Sequence, residues 1–89
     1  MNQAEYYIAV FKSRNQTMKY YNTLKGERVR CEIVNTPRQV SLGCGLSVRF
    51  ESGALSRALA VLRRLNLYSY GGMFAVSQGM SGPVYTPRY

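Results

Sequence analysis

Residues Tyr6–Phe11 form an unbroken apolar run, Tyr-Tyr-Ile-Ala-Val-Phe, built mostly from aromatic and β-branched side chains. A run this short and this apolar reads as a strand buried at the centre of a sheet. Whatever this chain folds into must flank that strand on both edges and supply cover for it. The rest of the sequence is constrained accordingly.

Ser13 follows the run, with Gln16 three residues later, a capping-box pattern that opens a helix. The helix is expected to reach about Lys25, with Gly26 as its stop. Its apolar side is Thr17, Tyr20, Tyr21 and Leu24, with Met18 at the margin. Val29, Cys31 and Ile33 then alternate with Arg28, Arg30 and Glu32, a period-two strand with one buried face. Cys31 lies on that apolar face and reads as a small core residue. Pro37 ends the strand region, and Asn35 to Gly45 is a loop rich in turn formers. Leu46, Val48 and Phe50 make another half-buried strand. A second helix starts at Ser52 or Gly53, with Leu55, Ala58, Leu59 and Leu62 on one face and Asn66 as its C-terminal cap. Leu67 to Tyr70 and Met73 to Val76 read as a last strand, interrupted at Gly71-Gly72 by a bulge or a turn. Ser77 to Tyr89 shows no apolar periodicity and reads as a flexible tail, or an arm that orders on a partner.

The order strand, helix, strand, strand, helix, strand implies an α+β, ferredoxin-like split βαββαβ sandwich. The expectation is a four-stranded antiparallel sheet with both helices on one face, one domain over 1–76, and a tail over 77–89. The second face of the sheet is left open, to be covered in part by a partner or by the tail.

With 89 residues and 46% hydrophobic content, the chain suits one small folded domain. No apolar stretch approaches a membrane span. The first residues lack the basic and apolar blocks of a secretory signal, so a cytoplasmic location is expected. Two cysteines are too few for a disulfide scaffold. With no histidine, a tetrahedral zinc site would lack ligands, and a Cys-His or Ser-His nucleophile pair cannot be built. The carboxylate side chains are Glu5, Glu27, Glu32 and Glu51, which fall on different expected elements. This composition argues against most self-sufficient enzymes, and no cofactor is expected. The net charge of +8 suits an anionic partner: RNA, an acidic protein surface or a charged small molecule.

Cys44 stands out chemically, flanked by Gly43 and Gly45. Glycines on both sides leave a sulfur reachable and its backbone unconstrained. In the expected topology the loop carrying Cys44 lies at the sheet end where the first helix begins. Lys12, Ser13 and Arg14 should then neighbour Arg38 and Cys44, with Arg63 and Arg64 not far away. Basic groups and a helix N-terminus both favour a thiolate. Pro37 shapes the loop, and Thr36 and Ser41 bond loop backbone, although Ser41 has the alternative of donating to an anion. The plainer reading of Cys44 is a small residue filling a gap under the loop.

The pattern Thr36-Pro37-Arg38, then Val40-Ser41, then Cys44-Gly45-Leu46, followed by a strand ending in Arg49-Phe50, resembles the DUF3343 family. Its members are described as selenium/sulfur carrier-like proteins. The resemblance spans about Tyr6 to Val76, with Ser13 in register. It implies a compact α/β domain whose cysteine takes up a persulfide or selenide. It points to Cys44 first, then to Thr36, Pro37, Arg38, Ser41 and Gly45. The partners implied are a sulfur or selenium donor enzyme and an acceptor protein. The segment after Val76 and the strong basic charge depart from the family pattern. Two other functions fit the same element order: a basic RNA-binding module that stacks bases on sheet aromatics, and an interaction domain that dimerises through its open face. Monomer and homodimer are both compatible with the sequence.

Overall fold

The structure, a computed structural model, describes residues 4–40 and 44–89. Its elements are β1 (Tyr6–Phe11), α1 (Arg14–Gly26), β2 (Cys31–Asn35), β3 (Leu46–Glu51), a 3-10 turn (Ser52–Ala54), α2 (Leu55–Leu65), β4 (Tyr70–Gly79) and β5 (Gly82–Pro87). The five strands form one antiparallel sheet in the order β2-β3-β1-β4-β5. The apolar run therefore sits at the centre, between β3 and β4, as its composition demands.

The expected four strands become five. Residues 77–87, read from sequence as tail, extend β4 and turn back as β5, with Gly79 opposite Gly82 and Phe74 opposite Pro87. The break expected at Gly71-Gly72 is a bulge within one strand. The register shifts between Val10 and Phe11, which face Gly72 and Tyr70. Gly72 adopts φ 144°, a conformation side-chain-bearing residues rarely take, so the bulge falls where a glycine allows it.

One face of the sheet carries the main core. Ala9, Phe11, Val48, Phe50 and Met73 from the strands meet Tyr20 and Leu24 of α1 and Ala58 and Val61 of α2. Fully buried aromatic and aliphatic side chains of this kind contribute roughly 1.5–3 kcal/mol each. The Tyr20 hydroxyl donates to Ala58 O at 2.8 Å and so ties the two helices together. The opposite face is not bare. Ile8, Val10 and Val76 are buried there beneath Val40 of the β2–β3 loop, with Tyr6, Val34, Phe74 and Tyr85 packed around them. Arg49 lies over the Tyr6 ring, 3.9 Å from its centroid.

The helix ends follow local chemistry. Ser13 is the N-cap of α1, its Oγ accepting the Gln16 N–H at 3.3 Å. At the far end Gly26 stays helical, and the left-handed residue is Arg28 (φ 63°). That turn lets the Val29 N–H reach Leu24 O at 2.9 Å while the Val29 side chain enters the core. Asn66 closes α2 in the left-handed conformation expected of a C-cap (φ 49°). No helix is long and apolar enough to cross a membrane among the described residues.

Candidate functional site

β1 and α1 together build the seat of Cys44. β1 delivers the chain to one pole of the sheet, and α1 starts there. The Cys44 N–H donates to Phe11 O, the last residue of β1, at 3.0 Å. This bond fixes the cysteine backbone beside the first turn of α1. Gly45 follows with φ 93°, a left-handed turn that sends the chain straight into β3. The loop is closed at its base by Thr36 N–H to Gly45 O at 2.9 Å and by a 2.6 Å hydroxyl contact between Thr36 and buried Ser47. Pro37 O accepts the Val40 N–H at 3.1 Å, forming a turn that presses Val40 onto the sheet.

The sulfur is exposed, and its nearest side-chain partner is Thr17 in the first turn of α1, with Oγ1 3.5 Å from Sγ. Thr17 is fully buried. Its hydroxyl donates to Ser13 O at 3.1 Å, and its backbone N–H reaches the same oxygen at 3.0 Å. A hydroxyl has one hydrogen. With the thiol protonated, that hydrogen goes to Ser13 O and the S–H has Thr17 Oγ1 or Leu46 O (3.8 Å) to donate to. With the thiol ionised, the hydroxyl can turn to the sulfur while Ser13 O keeps the Thr17 N–H.

Partial burial pushes the Cys44 thiol up. The Thr17 hydroxyl, the backbone bonds at Leu46 and Cys44 and the Arg14 charge act the other way and hold it below the ordinary thiol value. The N-terminus of α1 adds its positive end to the same point. Cys31 is the contrast. It is half-buried at the start of β2, its S–H aimed at Tyr21 O (3.9 Å), and burial pushes its thiol up against a smaller opposing effect of Lys25. Two thiols in one small chain are thus set apart by their surroundings.

The structure brings together Cys44, Ser13, Arg14 and Gly45, and places Thr36 and Pro37 as the supports of the loop. Arg38 is exposed on that loop, and the Arg14 charge favours the ionised sulfur. Ser41 and Gly43 lie outside the described residues. Arg64 does not gather at this pole as expected. Its guanidinium pairs with Glu27, just past the end of α1. Glu27 lies ten residues beyond Thr17, roughly 15 Å away along the helix axis.

Sequence reading missed Thr17 as a site residue, because its place in the apolar stripe accounted for it. It also missed the Ser69–Gln16 clamp. Ser69 Oγ accepts the Ser13 N–H at 3.2 Å, and Gln16 Oε1 accepts the Ser69 N–H at 2.8 Å. These bonds lock the start of α1 to the start of β4. No three side chains of metal-binding type cluster among the described residues.

An exposed thiol at the pole of a two-helix, five-stranded α+β sheet structure is the chemical feature that this fold sets apart. The chain belongs to the family described as "Putative Se/S carrier protein-like", whose pattern matches residues 6–71. No curated protein and no solved structure matches it.

Proposed function

We propose that this protein carries sulfur or selenium on Cys44, in a split βαββαβ domain extended by one hairpin strand. The observation that supports this most is the asymmetry of the two cysteines: Cys44 exposed with its thiol held low, Cys31 half-buried with its thiol held high. The thiolate is the nucleophile in sulfur exchange. The Cys44 thiolate attacks the outer sulfur of a donor persulfide. A new S–S bond forms on Cys44, the donor's S–S bond breaks, and the donor cysteine leaves as a thiolate. A donor selenium atom is taken up in the same way. Delivery to an acceptor thiolate reverses the roles and restores free Cys44. No electrons are gained or lost overall, and no metal or histidine is needed. A reducing cytoplasm, where thiols stay free, is the compartment that suits such a carrier.

The nucleic-acid alternative is less well supported. Bases would stack on the open sheet face, where Tyr6 already carries the Arg49 guanidinium and β3 offers Ser47, Arg49 and Glu51 rather than rings.

The test is intact-protein mass spectrometry after incubation with a cysteine desulfurase and cysteine. The expected result is a mass increase of one or more sulfur atoms, removed by a reducing agent, lost in Cys44→Ser and kept in Cys31→Ser. Absence of any such adduct on Cys44 beside a demonstrably active desulfurase would overturn the proposal.

A further inference from the structure

The charged side chains are divided unevenly between the two poles of the sheet. All four carboxylate side chains lie toward the pole remote from Cys44. Glu5 precedes β1, its N–H bonded to Val76 O. Glu51 ends β3 opposite Tyr6. Glu32 sits early in β2 opposite Arg49, and Glu27 follows the end of α1. Arginines accompany them there. Arg64 pairs with Glu27, and Arg30 and Arg49 line a cleft with Glu5, Glu32 and Glu51.

The Cys44 pole has cations and no side-chain carboxylate. Lys12 follows β1, Arg14 opens α1, and Arg38 rides the β2–β3 loop. Arg88 follows β5, with its N–H bonded to Met73 O. All four are exposed. Tyr68 stands among them at 88% exposure, one residue before the Ser69 that holds the start of α1. Strands of this length separate the poles by roughly 20 Å, about two Debye lengths at physiological salt. The acidic pole therefore does little to cancel the field around the sulfur.

We propose that the Cys44 pole is a docking surface for acidic protein surfaces, and that the donor and acceptor of the carried atom each surround their reactive group with carboxylates. The proposal starts from the carrier reading above and specifies its partner. An uncompensated cationic rim raises the encounter rate with an anionic surface and disfavours a basic one. An exposed tyrosine beside arginines is the side-chain set that anchors protein interfaces. Charge complementarity selects the occupant, and the central thiol demands that its reactive atom come within bonding distance.

The test uses the full chain with Cys31→Ser and three short peptides, glutamate-rich, neutral and lysine-rich. Each peptide carries one cysteine activated as a thiopyridyl disulfide. The Cys44 thiolate attacks the peptide sulfur, a mixed disulfide forms, and released thiopyridone reports the rate. The expected ratio of acidic to neutral peptide is about tenfold at low ionic strength, falling toward one in high salt. Lys12→Glu combined with Arg88→Glu is expected to abolish the preference, while Arg57→Glu at the far pole leaves it intact.

A ratio near one at low salt overturns the proposal, as does an equal effect of Arg57→Glu. So does stronger protection of Cys44 by a single-stranded RNA oligonucleotide than by a cysteine-free acidic peptide, because the pole would then be a nucleic-acid surface. Loss of the peptide preference with sulfur loading intact removes the docking surface alone. Loss of loading with the preference intact removes the carrier reading.

Discussion

Replacing Thr17 by valine tests how the Cys44 thiol is tuned. Valine keeps the volume of the buried side chain and removes only the hydroxyl 3.5 Å from Sγ. Nothing is orphaned, because Ser13 O retains the Thr17 N–H at 3.0 Å. A hydrogen bond to a charged acceptor contributes about 1.5–3 kcal/mol when shielded. Cys44 is exposed, so solvent reduces that to about 1 kcal/mol. One kcal/mol corresponds to roughly a fivefold loss of thiolate below the midpoint of titration. The assay is the pH dependence of Cys44 alkylation by iodoacetamide, in a Cys31→Ser background. This reagent is neutral, so the charge of the pole does not favour it. The Thr17→Val profile should move to higher pH, with its alkaline plateau unchanged and its melting temperature close to that of the parent. Thr17→Ser should behave in the opposite way. It keeps the hydroxyl and the reactivity but loses a buried methyl, at a cost of about 1 kcal/mol of stability. Superimposable Thr17→Val and parent profiles would refute the assignment of the hydroxyl to the sulfur.

Two further predictions concern stability. Tyr70 Oη is buried with no hydrogen-bond partner among the described residues. Tyr70→Phe should therefore unfold in denaturant at the same or a higher concentration, by up to about 1 kcal/mol, and a clear loss would show that the hydroxyl is bonded after all. Burial pushes the Tyr70 phenol up to about 12, which makes its neutral form the one the fold prefers. That contribution is complete below the ordinary phenol range near 10 and fades as pH climbs from there toward 12. Chemical denaturation across this window should show falling stability in the parent and a shallower fall in Tyr70→Phe. Ser13→Ala removes the N-cap of α1 and should cost about 1 kcal/mol. The same change loosens the first turn that holds Thr17 against Cys44, so alkylation at neutral pH should slow in parallel with the loss of melting temperature.

What the sequence revealed, and what it hid, follows from how local each signal is. β1 is a composition signal within six residues, and α1 announces itself by Ser13 and Gln16. α2 shows its periodicity, although Val61 rather than Leu55 or Leu62 is the fully buried residue at its middle and the stripe is turned slightly. β5 was illegible for a physical reason. It is an edge strand, where Pro83 and Pro87 are tolerated because one side of the backbone needs no partner. Tyr85 packs on the apolar cluster of the sheet while the equally apolar Val84 stays exposed, so apolar content does not mark the packed face. At the site, the sequence marked Cys44 and the helix start. It placed Arg14 and Arg38 together at that pole without ranking their effect on the sulfur, since both lie on segments that reach it and side-chain direction is not written in spacing. Thr17 was hidden because it is fully buried on the apolar side of α1, while its hydroxyl meets the thiol. Ser69 acts on Ser13 across 56 residues, a separation no local pattern records.

The bond from the Cys44 amide to the end of β1 has a consequence for traffic through the protein. A nucleophile moored to the central strand is not a swinging arm. Under the proposed carrier role, each client must come to the same berth. Under the same proposal, giver and receiver compete for a single footprint, and the empty and laden forms take turns with them rather than bridging both at once.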